Sequence, residues 1–137
     1  MSDQIVTQSI HHIALTVSDV ARSVEFYTSL FNFQQAAEFG SRVLLSNNSV
    51  VLVLTPAPDP TQAIPGDRFN ENRIGLDHVS FSVESMAEIE SAVQKLDARG
   101  VKHGEVTPLE PFGIAILAVR DPDNIQVELT APLKSAS

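Results

Sequence analysis

The chain has 137 residues, 43% of them apolar, which allows one globular domain with a real core and excludes disordered and fibrous classes. Its net charge is −8 and its nine Lys and Arg residues are scattered, so nucleic acid and anionic membrane surfaces are not expected partners. There is no cysteine, no apolar run near the roughly 20 residues that cross a bilayer, and no basic-then-apolar leader after Met1; a cytoplasmic protein with a small-molecule ligand is expected.

The first periodic segment, His12-Ile13-Ala14-Leu15-Thr16-Val17, alternates in character as a half-buried strand does. Val20, Val24, Tyr27 and Phe31 then fall on one helical face, with Ser18 or Asp19 to cap it and Asn32 placed to end it in a left-handed conformation. Three short strands follow, near Gln34 to Glu38, Arg42 to Ser46 and Val50 to Thr55, with Asn47-Asn48 as a turn. Pro56, Pro58, Pro60 and Pro65 exclude helix or central strand, so residues 57–75 read as a linker, either a lid over a site or a tether.

After the linker the pattern begins again. His78-Val79-Ser80-Phe81-Ser82-Val83 repeats the chemistry of His12 to Val17 place for place, 66 residues on. Met86, Ile89, Val93 and Leu96 form a second helical face, with Ser85 and Glu88 at capping-box spacing and Gly100 as the stop. Three strands are expected near Lys102 to Thr107, Ile114 to Arg120 and Ile125 to Thr130, the last two joined by a turn at Asp121-Pro122-Asp123-Asn124. The fold class is therefore α+β, with two tandem βαβββ modules, about 8–56 and about 76–132, forming half-barrels around a shared cavity.

Alternation then sorts the faces. If Ile13, Leu15 and Val17 pack on the helix, His12, Ala14 and Thr16 face the other way, as do His78, Ser80 and Ser82 in the second module. In the closing strands Val53 and Glu128 occupy matching positions on that same face. Two imidazoles and a carboxylate on one side of a divalent ion make a facial triad with open positions for substrate, suited to Fe(II) or Mn(II) and also able to hold Zn(II). His12, His78 and Glu128 are the candidate metal ligands. A carboxylate amid Ile125-Gln126-Val127-Glu128-Leu129 also needs a partner, because an unpaired buried charge is costly. His11 points away from His12 if the strand is regular, His103 reads as a surface residue, and Arg120 as a turn-stabilising charge.

His-Ile-Ala-Leu-Thr-Val followed by Asp19, Phe26-Tyr27 and Leu30-Phe31-Asn32-Phe33, then Asp77-His78-Val79 and Asp121-Pro122-Asp123 with Glu128, resembles the vicinal-oxygen-chelate superfamily. That superfamily includes glyoxalase I, methylmalonyl-CoA epimerase, extradiol dioxygenases, fosfomycin-modifying enzymes and metal-free bleomycin-binding proteins. The resemblance implies one divalent metal per site, a small oxygenated substrate, and a homodimer whose sites form within one chain or between swapped chains. The epimerase and glyoxalase I carry a fourth ligand where this chain has Val53, which favours dioxygenase or lyase chemistry. The strand Ile114 to Val119 carries no phosphonate-holding group, so an apolar or aromatic substrate is expected. Val53, Phe112 and Gln126 are the candidate substrate contacts, and Glu128 doubles as a candidate catalytic proton shuttle. The alternative is a metal-free module that sequesters an apolar, antibiotic-type molecule.

Overall fold

The computed structural model describes residues 3–134. The chain divides into two compact units, the division falling between Ile64 and Pro65. Each unit holds one helix and one four-stranded mixed sheet, an α+β arrangement of two βαβββ modules.

In the first unit β1 (Ile13–Thr16) leads into α1 (Val20–Leu30), followed by β2 (Gln34–Phe39), β3 (Arg42–Ser46) and β4 (Val51–Thr55). The sheet order is β1-β4-β3-β2, with β1 parallel to β4 and the other pairs antiparallel. Asp19 is the N-cap of α1, its Oδ1 accepting from the Arg22 amide at 3.1 Å. The helix does not end on a left-handed Asn32. Phe31 is the C-cap in an extended conformation, and β2 begins within three residues while Phe33 is buried at once, so the chain has no room for a left-handed cap. α1 packs on β2, β3 and β4, and the core beneath it is Leu15, Val17, Leu45, Leu52 and Leu54 around the fully buried Tyr27. Asn48, at φ 73°, turns β3 into β4, and the Asn47 side-chain oxygen accepts from the amides of Ser49 and Val50.

The second unit repeats this plan with β5 (Val79–Ser82), α2 (Met86–Ala98), β6 (Thr107–Leu109), β7 (Ile114–Arg120) and β8 (Gln126–Pro132), in the order β5-β8-β7-β6. Ser85 is the N-cap of α2 but makes no side-chain cap bond, so the expected capping box is absent; the carbonyl of Ser85 takes the Glu88 amide instead. Gly100, at φ 66°, ends the helix as its position suggests. The strand expected over Lys102 to Thr107 lies later, at Thr107–Leu109, because His103 makes a lone bridge to Val119 and the chain leaves the sheet before returning.

His103 is accordingly not a simple surface residue. Its side chain is largely covered, with Nε2 2.6 Å from Asp97 of α2 and Nδ1 2.7 Å from the Gly104 carbonyl, and these bonds raise its pKa. It ties the end of α2 to the edge of β7.

The later part of the linker is fastened to the turn between β7 and β8. Asp121 Oδ1 accepts from the amides of Asp123 and Ile125, and Asn124 adopts φ 67° to close the turn. Phe69 exchanges backbone and side-chain hydrogen bonds with Asp123 and Asn124. Glu71 takes a two-pronged bond from Arg120 at 3.0 and 2.8 Å, while the same guanidinium donates to the Asn124 carbonyl at 3.1 Å. Arg120 thus braces its turn, as expected, and also clamps the linker; the guanidinium holds the Glu71 carboxyl down at about 2.

Candidate functional site

The first sheet presents a cavity of about 500 Å³ on the face opposite α1. Register explains its floor. Ala14 pairs with Val53, Val53 with Leu44 and Leu44 with Ala37, so one row of small and medium apolar side chains crosses all four strands. A shift in the β2–β3 register between Gln35 and Ala37 brings Ala37 into that row. The next row holds Thr16, Thr55 and Arg42, and His12 stands at the opposite end, before β1. His12, Ala14, Thr16 and Val53 therefore face the cavity, as alternation requires. The His12 ring meets His11 edge-on, with their Nδ1 atoms 2.9 Å apart.

In the second sheet the matching row is Ser80, Glu128 and Ala118. Glu128 is buried, on the face of β8 opposite Val127 and Leu129. His78 comes just before β5, and its Nε2 lies 3.4 Å from Glu128 Oε1. Its Nδ1 is bonded to Asp77 Oδ1 at 2.8 Å, and the Gln126 side-chain amide donates to that same carboxylate oxygen at 2.9 Å. With Nδ1 engaged by Asp77, Nε2 is the ring nitrogen turned toward Glu128 and the one left for a metal. Ser80 Oγ and Thr130 Oγ1 pair on the same face. Phe112 sits in a 3-10 turn before β7 and is exposed.

Two of the three candidate ligands, His78 and Glu128, are thus brought together in the second unit, while His12 and Val53 belong to the first. Among the described residues no group of three His, Asp or Glu side chains gathers at metal-holding distance. In donor type the residues fit a divalent ion: imidazole nitrogen and carboxylate oxygen, the nitrogen already oriented by a carboxylate behind it. Two residues escaped the sequence reading. Asp77 was visible only as the neighbour of His78, and Arg42 shares its strand face with Leu44, a parity that would have placed it at the cavity.

A family model described as the Glyoxalase/Bleomycin resistance protein/Dioxygenase superfamily matches residues 9–129. The chain belongs to that superfamily. Among its relatives, the uncharacterized protein YwkD of Bacillus subtilis (strain 168) is 33% identical over 132 residues, 91% of this chain and 98% of the relative. The crystal structure of a glyoxylase/bleomycin resistance protein/dioxygenase domain from Frankia sp. EAN1pec is 28% identical, covers 96% of each chain and gives a TM-score of 0.77. The fosfomycin resistance protein FosX from Listeria monocytogenes, complexed with Mn(II) and sulfate, shares the fold at 19% identity and a TM-score of 0.72, covering 93% of this chain and 92% of its own. A protein that shares this fold thus forms a complex with a divalent metal. No helix among the described residues is long and apolar enough to cross a membrane.

Proposed function

We propose that this superfamily member is a metal-dependent enzyme acting on a small oxygenated, apolar or aromatic substrate by dioxygenase or lyase chemistry. His12, His78 and Glu128 would hold one divalent ion per site, Fe(II) or Mn(II) by preference and Zn(II) as the other candidate. When bound, the ion supplies Lewis acidity and a template for two adjacent substrate oxygens. Val53, in place of a fourth donor, leaves a position open and argues against true glyoxalase I chemistry.

The observation that carries this reading is the relay Gln126–Asp77–His78 behind the His78–Glu128 pair. It commits Nδ1 of His78 and turns Nε2 toward a buried carboxylate. Glu128, a buried carboxylate on the face of β8 opposite Val127 and Leu129, would take and return a proton. Gln126 acts through Asp77, while Val53 lies on the apolar floor and Phe112 is available to a ligand from the surface.

We read the chain as one domain of two modules, residues 8–56 and 76–132, working in the cytoplasm as a homodimer. Every residue of β2 is exposed, and so are His12, Ala14 and Thr16, a sheet surface that calls for cover. His12 would come from the same chain as His78 and Glu128 or from its partner. Mixing H12A with E128A chains distinguishes these, since only sites formed between chains regain metal.

Metal content by mass spectrometry on untagged protein tests the proposal. About one iron, manganese or zinc per chain, lost in E128A, is the expected result. No metal in either protein after anaerobic reconstitution with Fe(II) overturns it. The apolar row Ala14–Val53–Leu44–Ala37 favours a second reading, metal-free sequestration of an apolar compound, under which H12A and H78A bind ligand as the native protein does.

A further inference from the structure

The cavity of the first sheet is apolar in its middle and polar at two opposed ends. The floor is the row Ala14–Val53–Leu44–Ala37. At one end stands His12. At the other, Arg42 lies beside Thr55, its Nε donating to Thr55 Oγ1 at 3.3 Å. That bond engages the inner nitrogen, while the two terminal nitrogens of the guanidinium make no hydrogen bond among the described residues. Thr55 is itself fixed, buried and donating to the Pro56 carbonyl at 2.8 Å. Among the described residues Arg42 has no carboxylate partner. Glu38 also lines the cavity, with its Oε1 accepting from Gln35 Nε2 at 3.0 Å.

A guanidinium anchored by one nitrogen, with a planar fork unoccupied, is built to take a carboxylate through two parallel bonds. In a chain of net charge −8, a lone Arg at the rim of an apolar cavity is a local exception to a field that repels anions. Its separation from His12 follows from register. Thr16, in the Arg42 row, is four residues beyond His12, about 13 Å along a strand.

We propose that this cavity takes an elongated organic acid: a carboxylate held by Arg42, an apolar body over the Ala14–Val53–Leu44–Ala37 row, and its oxygenated, metal-chelating end toward His12. The chelating end rests on the function proposed above; the carboxylate end stands on the first sheet alone. Arg42 is then a specificity-determining residue that selects charged over neutral compounds of the same shape.

The probes are 4-phenylbutyrate and its neutral amide, titrated calorimetrically into the protein as purified, with and without a chelator. The native protein is expected to bind the acid at least tenfold more tightly than the amide in both conditions. R42Q should lose that preference while keeping its amide affinity, and R42K should retain part of it. Ala14→Phe, which fills the floor, should weaken both probes. Equal binding of the two probes by the native protein, a preference that survives in R42Q, or no binding of either at millimolar concentration overturns the proposal. Unchanged binding in Ala14→Phe places the probes elsewhere and also overturns it. Loss of the metal reading leaves the chelator-treated result standing, so the two can fail separately.

Discussion

His78 and Glu128 approach diagonally across the parallel β5–β8 pair, Nε2 to Oε1 at 3.4 Å. Ser80 is the residue directly opposite Glu128, so His78 reaches it from two residues earlier on the same face. That diagonal leaves both donor atoms on the side of the sheet away from α2. It also lets Asp77, next in the chain, stand behind the ring.

Asp77→Asn should therefore weaken divalent metal binding by about 10–100-fold while leaving the fold intact, because the amide no longer fixes the Nδ1–H tautomer. Gln126→Ala should do the same to a smaller degree. Competition of each variant against a fluorescent chelator measures this; an unchanged affinity in Asp77→Asn would show that the pair at Asp77 is structural only.

The Glu71–Arg120 clamp gives a stability term with a defined pH window. The carboxyl of Glu71 is lowered from 4.5 to about 2, chiefly by its hydrogen bonds from Arg120. A depressed carboxylate stabilises the folded state fully above its ordinary value, and the contribution fades as pH falls through 4.5 toward 2. Urea unfolding of the native protein and of E71Q should differ at pH 7 and converge near pH 2.

His103 titrates in the opposite sense. Its hydrogen bond to Asp97, aided by the Gly104 carbonyl, raises its pKa above 6.5. The stabilisation is fully present below 6.5 and is lost as pH rises through the raised value. H103Q should be less stable than the native protein at pH 6, with the gap closing in alkaline solution. Amide exchange at the end of α2 should speed up in parallel.

Ser23 is fully buried in α1, and its hydroxyl finds no partner among the described residues. Ser23→Ala removes that unmet polar group and improves helix propensity, so stability should rise by about 1 kcal/mol. Thermal unfolding checks this, and a fall in stability would reveal a polar partner for the hydroxyl.

Much of this arrangement was legible in the residues. Alternation along His12 to Val17 sorted cavity side chains from core ones, and along Ile125 to Thr130 it set Glu128 on the face opposite Val127 and Leu129, because a strand's period of two is enforced by burial of one face. The repeat between His12 and His78 disclosed the two-module plan. Local signals failed where distant contacts decide the outcome. The β2–β3 register shift that places Ala37 on the cavity floor is a property of paired strands. Ser85 and Glu88 have capping-box spacing, yet the side-chain bond is not made. His103 follows a helix stop, and only the fold carries it to the edge of β7 beside Val119. Arg42, beside a hairpin, reads as an ordinary solvated charge until Thr55 is seen to hold it.

The first sheet divides its labour residue by residue. Leu15, Leu45, Leu52 and Leu54 point into the core, while their chain neighbours Ala14, Leu44 and Val53 form the cavity floor. A substitution at Ala14, Leu44 or Val53 alters the length and width available to a ligand without opening a hole beneath α1. Natural variation can thus exchange one ligand for another at little risk to folding. The same spacing offers engineers a short set of dials, each turned independently of the scaffold that carries it.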